Sequence, residues 1–174
     1  MLIIFDLDGT IFQAKPIFMR VGLDTSAPDY EKLLEAAIQD YGELFPCAEN
    51  VLKALHDMGH ELIICSKSPM KYIELVLRAT RINSFFSDYF SSSGYASKSE
   101  LVREIVESKT RNAIVVGDTH GDITAASENG LPSIAAMYGY GNKKMLSNAN
   151  YFANTPEEIL GCLLTYLSKL QRMG

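Results

Sequence analysis

A chain of 174 residues that is 47% apolar and 21% charged can bury one substantial core, and its length suits a single domain with room for one small insertion. A formal charge of -5, a pI near 5.2 and the lack of clustered Lys and Arg exclude a nucleic-acid surface, so a small anionic ligand would be held by a few local groups. Cys47, Cys65 and Cys162 are widely spaced with no C-x-x-C pair, and the apolar residues 1–5 are cut by Asp6 with no basic region ahead of them. These features suggest neither a disulfide framework, a zinc knuckle, a signal peptide nor a membrane span, and a cytoplasmic protein is expected.

The first predicted element is a strand over residues 2–5, a continuous apolar run of the kind covered on both faces of a parallel sheet. Asp6-Leu7-Asp8-Gly9-Thr10 follows at once. Parallel sheets bind ligands beyond the carboxyl ends of their strands. Residues two apart in extended chain project to one side, so Asp6 and Asp8 can face a common crevice while Gly9 permits a sharp turn. Two such carboxylates repel each other, and Mg²⁺ relieves that repulsion while leaving sites for water and a phosphate. The plain alternative is an Asp-Gly turn. A calcium loop fits poorly, because the glycine is misplaced and Ile17 stands where the twelfth ligand should be Glu.

Residues 13–45 interrupt the alternation of strand and helix, with Pro16 and Pro28 as breakers and a predicted helix over about 30–41. They read as a small helical cap inserted into a core formed by 1–12 and 46–174. The stripe Tyr30, Leu33, Leu34, Ala37, Ile38 and Tyr41 must pack on that core or on a second copy of the chain, the latter making a homodimer.

Further along, helical spacing of Val51, Leu52 and Leu55 precedes a strand over 61–65. Ser66-Lys67-Ser68 then offers a hydroxyl and backbone N–H groups before Pro69 opens a helix marked by Ile73, Val76 and Leu77. This is a phosphate cradle or a simple helix cap. A weaker strand near 88–90 leads through a serine-rich loop to Lys98, which begins a helix carrying Leu101, Val102, Ile105 and Val106. A lysine at a helix start opposes the helix dipole, and such a mismatch often marks function; a solvated lysine is the plain alternative to a cation balancing Asp6 and phosphate.

A strand over 113–116 runs into Gly117-Asp118-Thr119-His120-Gly121-Asp122, a second acidic loop at a strand end. Asp118 can complete a metal shell, and Asp122, one helical turn on, can act through water or orient neighbours; helix capping is the alternative for both. After a strand over 132–136, Gly139-Tyr140-Gly141 has Lys144 in place of a third glycine and is no dinucleotide fingerprint. The last helix has Thr155 as expected N-cap, Pro156 at its first position and Glu158 closing a capping box. His56 and His60 have zinc-like spacing but are split by Gly59, and His120 reads as a solvent-exposed loop histidine.

The order of DxDGT, Ser66, Lys98 and GDTxxD resembles the haloacid dehalogenase superfamily, particularly its phosphoglycolate-phosphatase-like members, over nearly the whole chain. The resemblance implies an α/β fold with a Rossmann-like parallel sheet flanked by helices. It also implies a Mg²⁺-dependent phosphatase hydrolysing a phosphate monoester of a small metabolite through an aspartyl-phosphate. Asp6 would be the nucleophile and Asp8 the general acid/base. Thr10, Ser66, Lys67 and Lys98 would bind phosphate. Asp6, the Asp8 carbonyl, Asp118 and, in support, Asp122 would hold the metal. Lys67 and Ser99 depart from the commonest residues of the family motifs, and the insertion is shorter than a typical multi-helix cap. The rival readings are a phosphomutase and a non-catalytic phosphate-binding or signalling module; the second Asp of the first motif disfavours a dehalogenase.

Overall fold

The computed structural model describes residues 1–22 and 29–173. Six parallel strands form one sheet in the order β3-β2-β1-β4-β5-β6: β1 Leu2–Phe5, β2 Glu61–Ser66, β3 Asp88–Ser91, β4 Ala113–Gly117, β5 Ser133–Ala136 and β6 Tyr151–Ala153. The helices among the described residues are α1 Ala14–Val21, α2 Tyr30–Tyr41, α3 Ala48–Asp57, α4 Met70–Thr80, α5 Lys98–Ser108, α6 His120–Glu128 and α7 Glu158–Met173. None is long and apolar enough to cross a membrane.

Alternate residues of the central strands supply two separate cores, because successive strand side chains leave opposite faces of the sheet. Ile3, Phe5, Ile64 and Val116 pack with α3, α4 and α7, whereas Leu2, Ile4, Ile63 and Val115 pack with α5 and α6. The continuous apolar runs are therefore the signature of strands covered on both sides. Register places β1 between β2 and β4, with Phe5 opposite Ile64 on one side and Val116 on the other. The loops after β1, β2 and β4 consequently open at the same edge of the sheet.

Residues 13–45 begin and end side by side. Phe12 bridges Leu44 antiparallel, Gln13 N–H donates to the Glu43 carbonyl at 2.9 Å, and Phe45 N–H donates to that of Ile11 at 2.9 Å. Between these ends lie two helices where one was expected. Pro16 is not a breaker here but the third residue of α1, within the first turn, where its missing N–H costs no hydrogen bond. Pro28 lies outside the described residues. Leu34, Ala37 and Ile38 of α2 are buried in the same core as Ile73 and Leu77 of α4, while Leu33 and Tyr41 remain exposed. Ion pairs join the two helices, Glu31 with Lys71 and Glu35 with Arg78. The stripe thus packs on the body of its own chain.

The start of α7 also differs from expectation. Residues 155–160 turn through i to i+3 bonds, Glu158 N–H to Thr155, Ile159 to Pro156 and Leu160 to Glu157. That tight turn shifts the capping contact, and the Glu158 carboxylate accepts from the Asn154 backbone N–H at 2.8 Å instead of closing a box with Thr155.

Candidate active site

The loops after β1, β2 and β4, with the start of α5, enclose a cavity of about 220 Å³ whose lining includes Asp6, Asp8, Ser66, Lys98, Asp118 and Asp122. Residues separated by more than 100 positions are brought together because β1 sits centrally between β2 and β4. Asp6 stands directly past β1 with its N–H tied to the Val116 carbonyl at 2.8 Å. Gly9 has φ +83°, and a Cβ there would overlap the Asp118 carboxylate. Only glycine lets this turn pass so close to a buried acid.

Lys98 is the cation paired with the acids of the cavity. It is buried, with its Nζ 2.8 Å from Asp6 Oδ1 and 2.5 Å from Asp122 Oδ1. Ser97 caps α5 by accepting from the Glu100 N–H at 3.2 Å, so the helix start is satisfied without the lysine. The dipole mismatch visible in the sequence is offset by two carboxylates. Burial opposes the lysine's charge, but Asp122 and Asp6 outweigh it and hold the ammonium above its ordinary range.

Asp122 serves two ends at once. Its Oδ2 accepts from the Thr119 N–H at 2.9 Å and from the Thr119 hydroxyl at 2.6 Å, a capping box, while Oδ1 takes Lys98. Capping and site-building are therefore one arrangement. Asp118 is fully buried, and its Oδ2 accepts from the Tyr140 N–H at 2.6 Å. Burial raises its carboxyl to about 6 and raises that of Asp6 to about 8, the latter despite the opposing pull of Lys98.

Asp8 behaves differently. Its Oδ2 accepts from the Ser68 hydroxyl at 2.6 Å and its Oδ1 from the Tyr72 hydroxyl at 2.7 Å. Burial raises its pKa while both hydroxyls lower it. Its carboxylate is thus engaged by hydroxyls and is not part of the acidic cluster formed by Asp6, Asp118 and Asp122, one oxygen of each of which lies within 4.8 Å of the others. Three buried carboxylates against one ammonium leave a net negative charge in a medium that penalises it, and a divalent cation suits that donor set. Asp6 Oδ2 accepts no hydrogen bond among the described residues and Asp118 Oδ1 has only the long 3.5 Å contact from Thr10, whereas both Asp122 oxygens accept at 2.9 Å or less, so Asp6 and Asp118 are the freer to meet a cation.

The expected phosphate groups are placed unequally. Ser66 is buried beside Asp6, and its Oγ accepts from the Ser68 N–H at 3.1 Å. Lys67 is exposed on the rim between this cavity and a neighbouring groove of about 660 Å³ that also reaches His120. Thr10 does not line the cavity: its buried hydroxyl points at Asp118 Oδ1, 3.5 Å away, so that it supports the acid rather than facing a ligand. His120 is exposed at the start of α6, within 3.3 Å of the Met145 carbonyl and Thr124 hydroxyl. His56 and His60 precede β2, at the opposite edge of the sheet.

Sequence reasoning missed Ser68, Tyr72 and Tyr140. Tyr72 falls on the buried stripe of α4 and looks like core, and the Tyr140 contribution is a backbone N–H with no letter of its own. The flanking glycines were its one signal. A Cβ on Gly139 would meet the Asp118 side chain and the Gly9 carbonyl. Gly139→Ala is therefore expected to cost about 1–3 kcal/mol in urea unfolding through overpacking, and to lower turnover by displacing Asp118. Unchanged stability and turnover would show that the 139–141 loop has slack the geometry does not suggest.

Comparison with known proteins follows the same lines. A family model described as haloacid dehalogenase-like hydrolase matches residues 19–136, well over half of the chain. The phosphoglycolate phosphatase of Vibrio vulnificus (strain YJ016) is 26% identical over 129 residues, 70% of this chain and 57% of the relative. The chain thus spans little more than half the length of that curated relative. A 5'-nucleotidase of Pseudomonas aeruginosa is 24% identical over 191 residues, 83% of this chain and 86% of the relative. Among solved structures, a predicted phosphatase from Clostridium acetobutylicum superposes with a TM-score of 0.75 at 25% identity, covering 94% of this chain and 98% of the other.

Proposed function

The chain belongs to the haloacid dehalogenase-like hydrolase family, and on that premise we propose that it is a phosphatase acting on a small phosphate monoester through an aspartyl-phosphate at Asp6. The observation that carries this reading is the division of labour between the two acids of the first loop. Asp6 is paired with Lys98 beside Asp118 and Asp122, while Asp8 is held apart by Ser68 and Tyr72.

In this reading Lys98 and the Ser66 hydroxyl bind phosphoryl oxygens and align phosphorus with Asp6 Oδ2, the oxygen not committed to Lys98. Asp6 attacks in line and the P–O bond to the alcohol breaks as Asp8 supplies its proton. Asp8 then accepts a proton from the water that cleaves the aspartyl-phosphate, which returns Asp6 as a carboxylate. Mg²⁺, held by Asp6, the Asp8 carbonyl and Asp118 with Asp122 in support, would supply charge neutralisation for carboxylate meeting phosphate.

Asp8 and Tyr140 are shared between the small cavity and a larger one of about 760 Å³ bounded by Ala14, Phe18 and Met19, with Lys15 beside them. That α1 lines this cavity supports reading the insertion as a cap over the leaving alcohol. The apolar side chains of Ala14, Phe18 and Met19 beside Asp8 favour a leaving alcohol with an apolar face. A screen should compare phosphoglycolate, nucleoside monophosphates, sugar phosphates and 4-nitrophenyl phosphate with Mg²⁺ present. Phosphate release that stops in chelator and returns with Mg²⁺ is expected. Release undiminished in chelator, or none from any monoester, would overturn the proposal; a phosphorylated chain that does not turn over would point to the signalling module.

A further inference from the structure

Asp8 is restrained through both oxygens by neutral hydroxyls at 2.6 and 2.7 Å, distances typical of strong bonds to a carboxylate. Ser68 belongs to the loop after β2, and Tyr72 follows four residues later in the first turn of α4. From the two sides of the Pro69 N-cap the two hydroxyls converge on one carboxylate, so the pair forms a fork in which it sits. The Tyr72 ring is itself fixed. It is 5% exposed, belongs to the core that contains Ile73 and Val76, and stacks on Phe18 of α1 with centroids 5.8 Å apart and planes 19° from parallel. Phe18 also bounds the larger cavity beside Asp8. A buried tyrosine that served packing alone would need a partner for its hydroxyl, but nothing in packing requires that partner to be an acid of the first loop.

We propose that Tyr72, together with Ser68, is a positioning residue that fixes the rotation of the Asp8 carboxylate toward the leaving oxygen, with α1 holding the Tyr72 ring in place through Phe18. The inference rests on Asp8 acting as the general acid. Without the fork, the carboxylate rotates among orientations of which few reach the alcohol, and the loss falls on the steps that need its proton.

That selectivity separates positioning from packing. Expulsion of 4-nitrophenolate needs no proton, whereas an alkoxide leaving group does, and kcat/KM reports the steps up to the first irreversible departure. Tyr72→Phe keeps the ring and its stack on Phe18 but removes the donor. The ratio of kcat/KM for an alkyl phosphate from the screen to that for 4-nitrophenyl phosphate is expected to fall about 10- to 100-fold, through kcat more than KM. Ser68→Ala should lower the same ratio to a lesser degree, and Asp8→Asn should lower it at least as far as Tyr72→Phe. Equal losses on both substrates, or a change in KM alone, would make Tyr72 a packing residue and overturn the inference. An unchanged ratio in Asp8→Asn would instead remove the role of Asp8 on which the inference stands, which keeps the two failures apart. Should Tyr72→Phe fail to fold, Ser68→Ala gives the same reading from the other arm of the fork.

Discussion

Asp6→Asn is expected to reduce turnover of 4-nitrophenyl phosphate on the order of 10³-fold or more, because an amide cannot form the acyl-phosphate on which the proposed reaction depends. The same variant should be more stable than the parent near pH 8 in chelator. The Asp6 carboxyl is pushed from an ordinary 3.8 to about 8, chiefly by burial, with Lys98 opposing and Asp122 and Asp118 adding to the rise. Between about pH 4 and pH 8 the folded chain therefore holds a proton that the unfolded chain has released, and stability falls as pH rises through that window. Asparagine has no proton to lose, so thermal melts of the variant should vary less over the same range. Turnover at the parent level would remove Asp6 as nucleophile, and equal pH slopes would show that another group sets the window.

The strands most readable from the sequence are those buried on both faces. Residues 2–5, 61–65, 113–116 and 132–136 each hold one continuous apolar run, and β1, β2, β4 and β5 occupy those places to within a residue. The edge strand β6 was missed because its three residues carry no period and Phe152 is 43% exposed. The helix α1 was missed because Pro16 is ambiguous in sequence: it breaks a helix interior yet is tolerated in a first turn, and only tertiary packing of Ala14 and Ile17 shows which applies.

The site divides in the same way. Asp6, Asp118 and Lys98 could be singled out because each violates a local preference, whether acids beyond apolar strands or a cation at a helix start. Ser68 and Tyr72 violate none. A serine before a helix and a tyrosine on its buried stripe are ordinary, and their meeting on Asp8 depends on how the loop after β2 faces the loop after β1. Asp122 shows why capping and site-building could not be separated beforehand, since one carboxylate closes the capping box with Thr119 and pairs with Lys98.

Lys98→Met should then be the most damaging single change to the fold at this site. The methionine approximates the volume of the lysine stem but leaves Asp6 and Asp122 buried with no ammonium 2.8 and 2.5 Å away. Removing one partner of a buried ion pair costs about 3–5 kcal/mol, because the remaining charge keeps its desolvation penalty and loses its compensation. The loss should be largest in chelator at pH 8. It should shrink at pH 5, where the Asp6 carboxyl takes up a proton, and shrink again when saturating Mg²⁺ offsets the same carboxylates. Turnover should fall about 10²- to 10³-fold even where the fold is intact, as expected when a donor to the transferring group is removed. Lys98→Arg is expected not to restore it, since a planar fork does not fit a space built for a point charge between two carboxylates. Urea unfolding at both pH values, with and without Mg²⁺, checks the argument. A loss independent of both pH and Mg²⁺ would mean that Lys98 stabilises the chain by packing its stem, and that the acids around it do not need its charge.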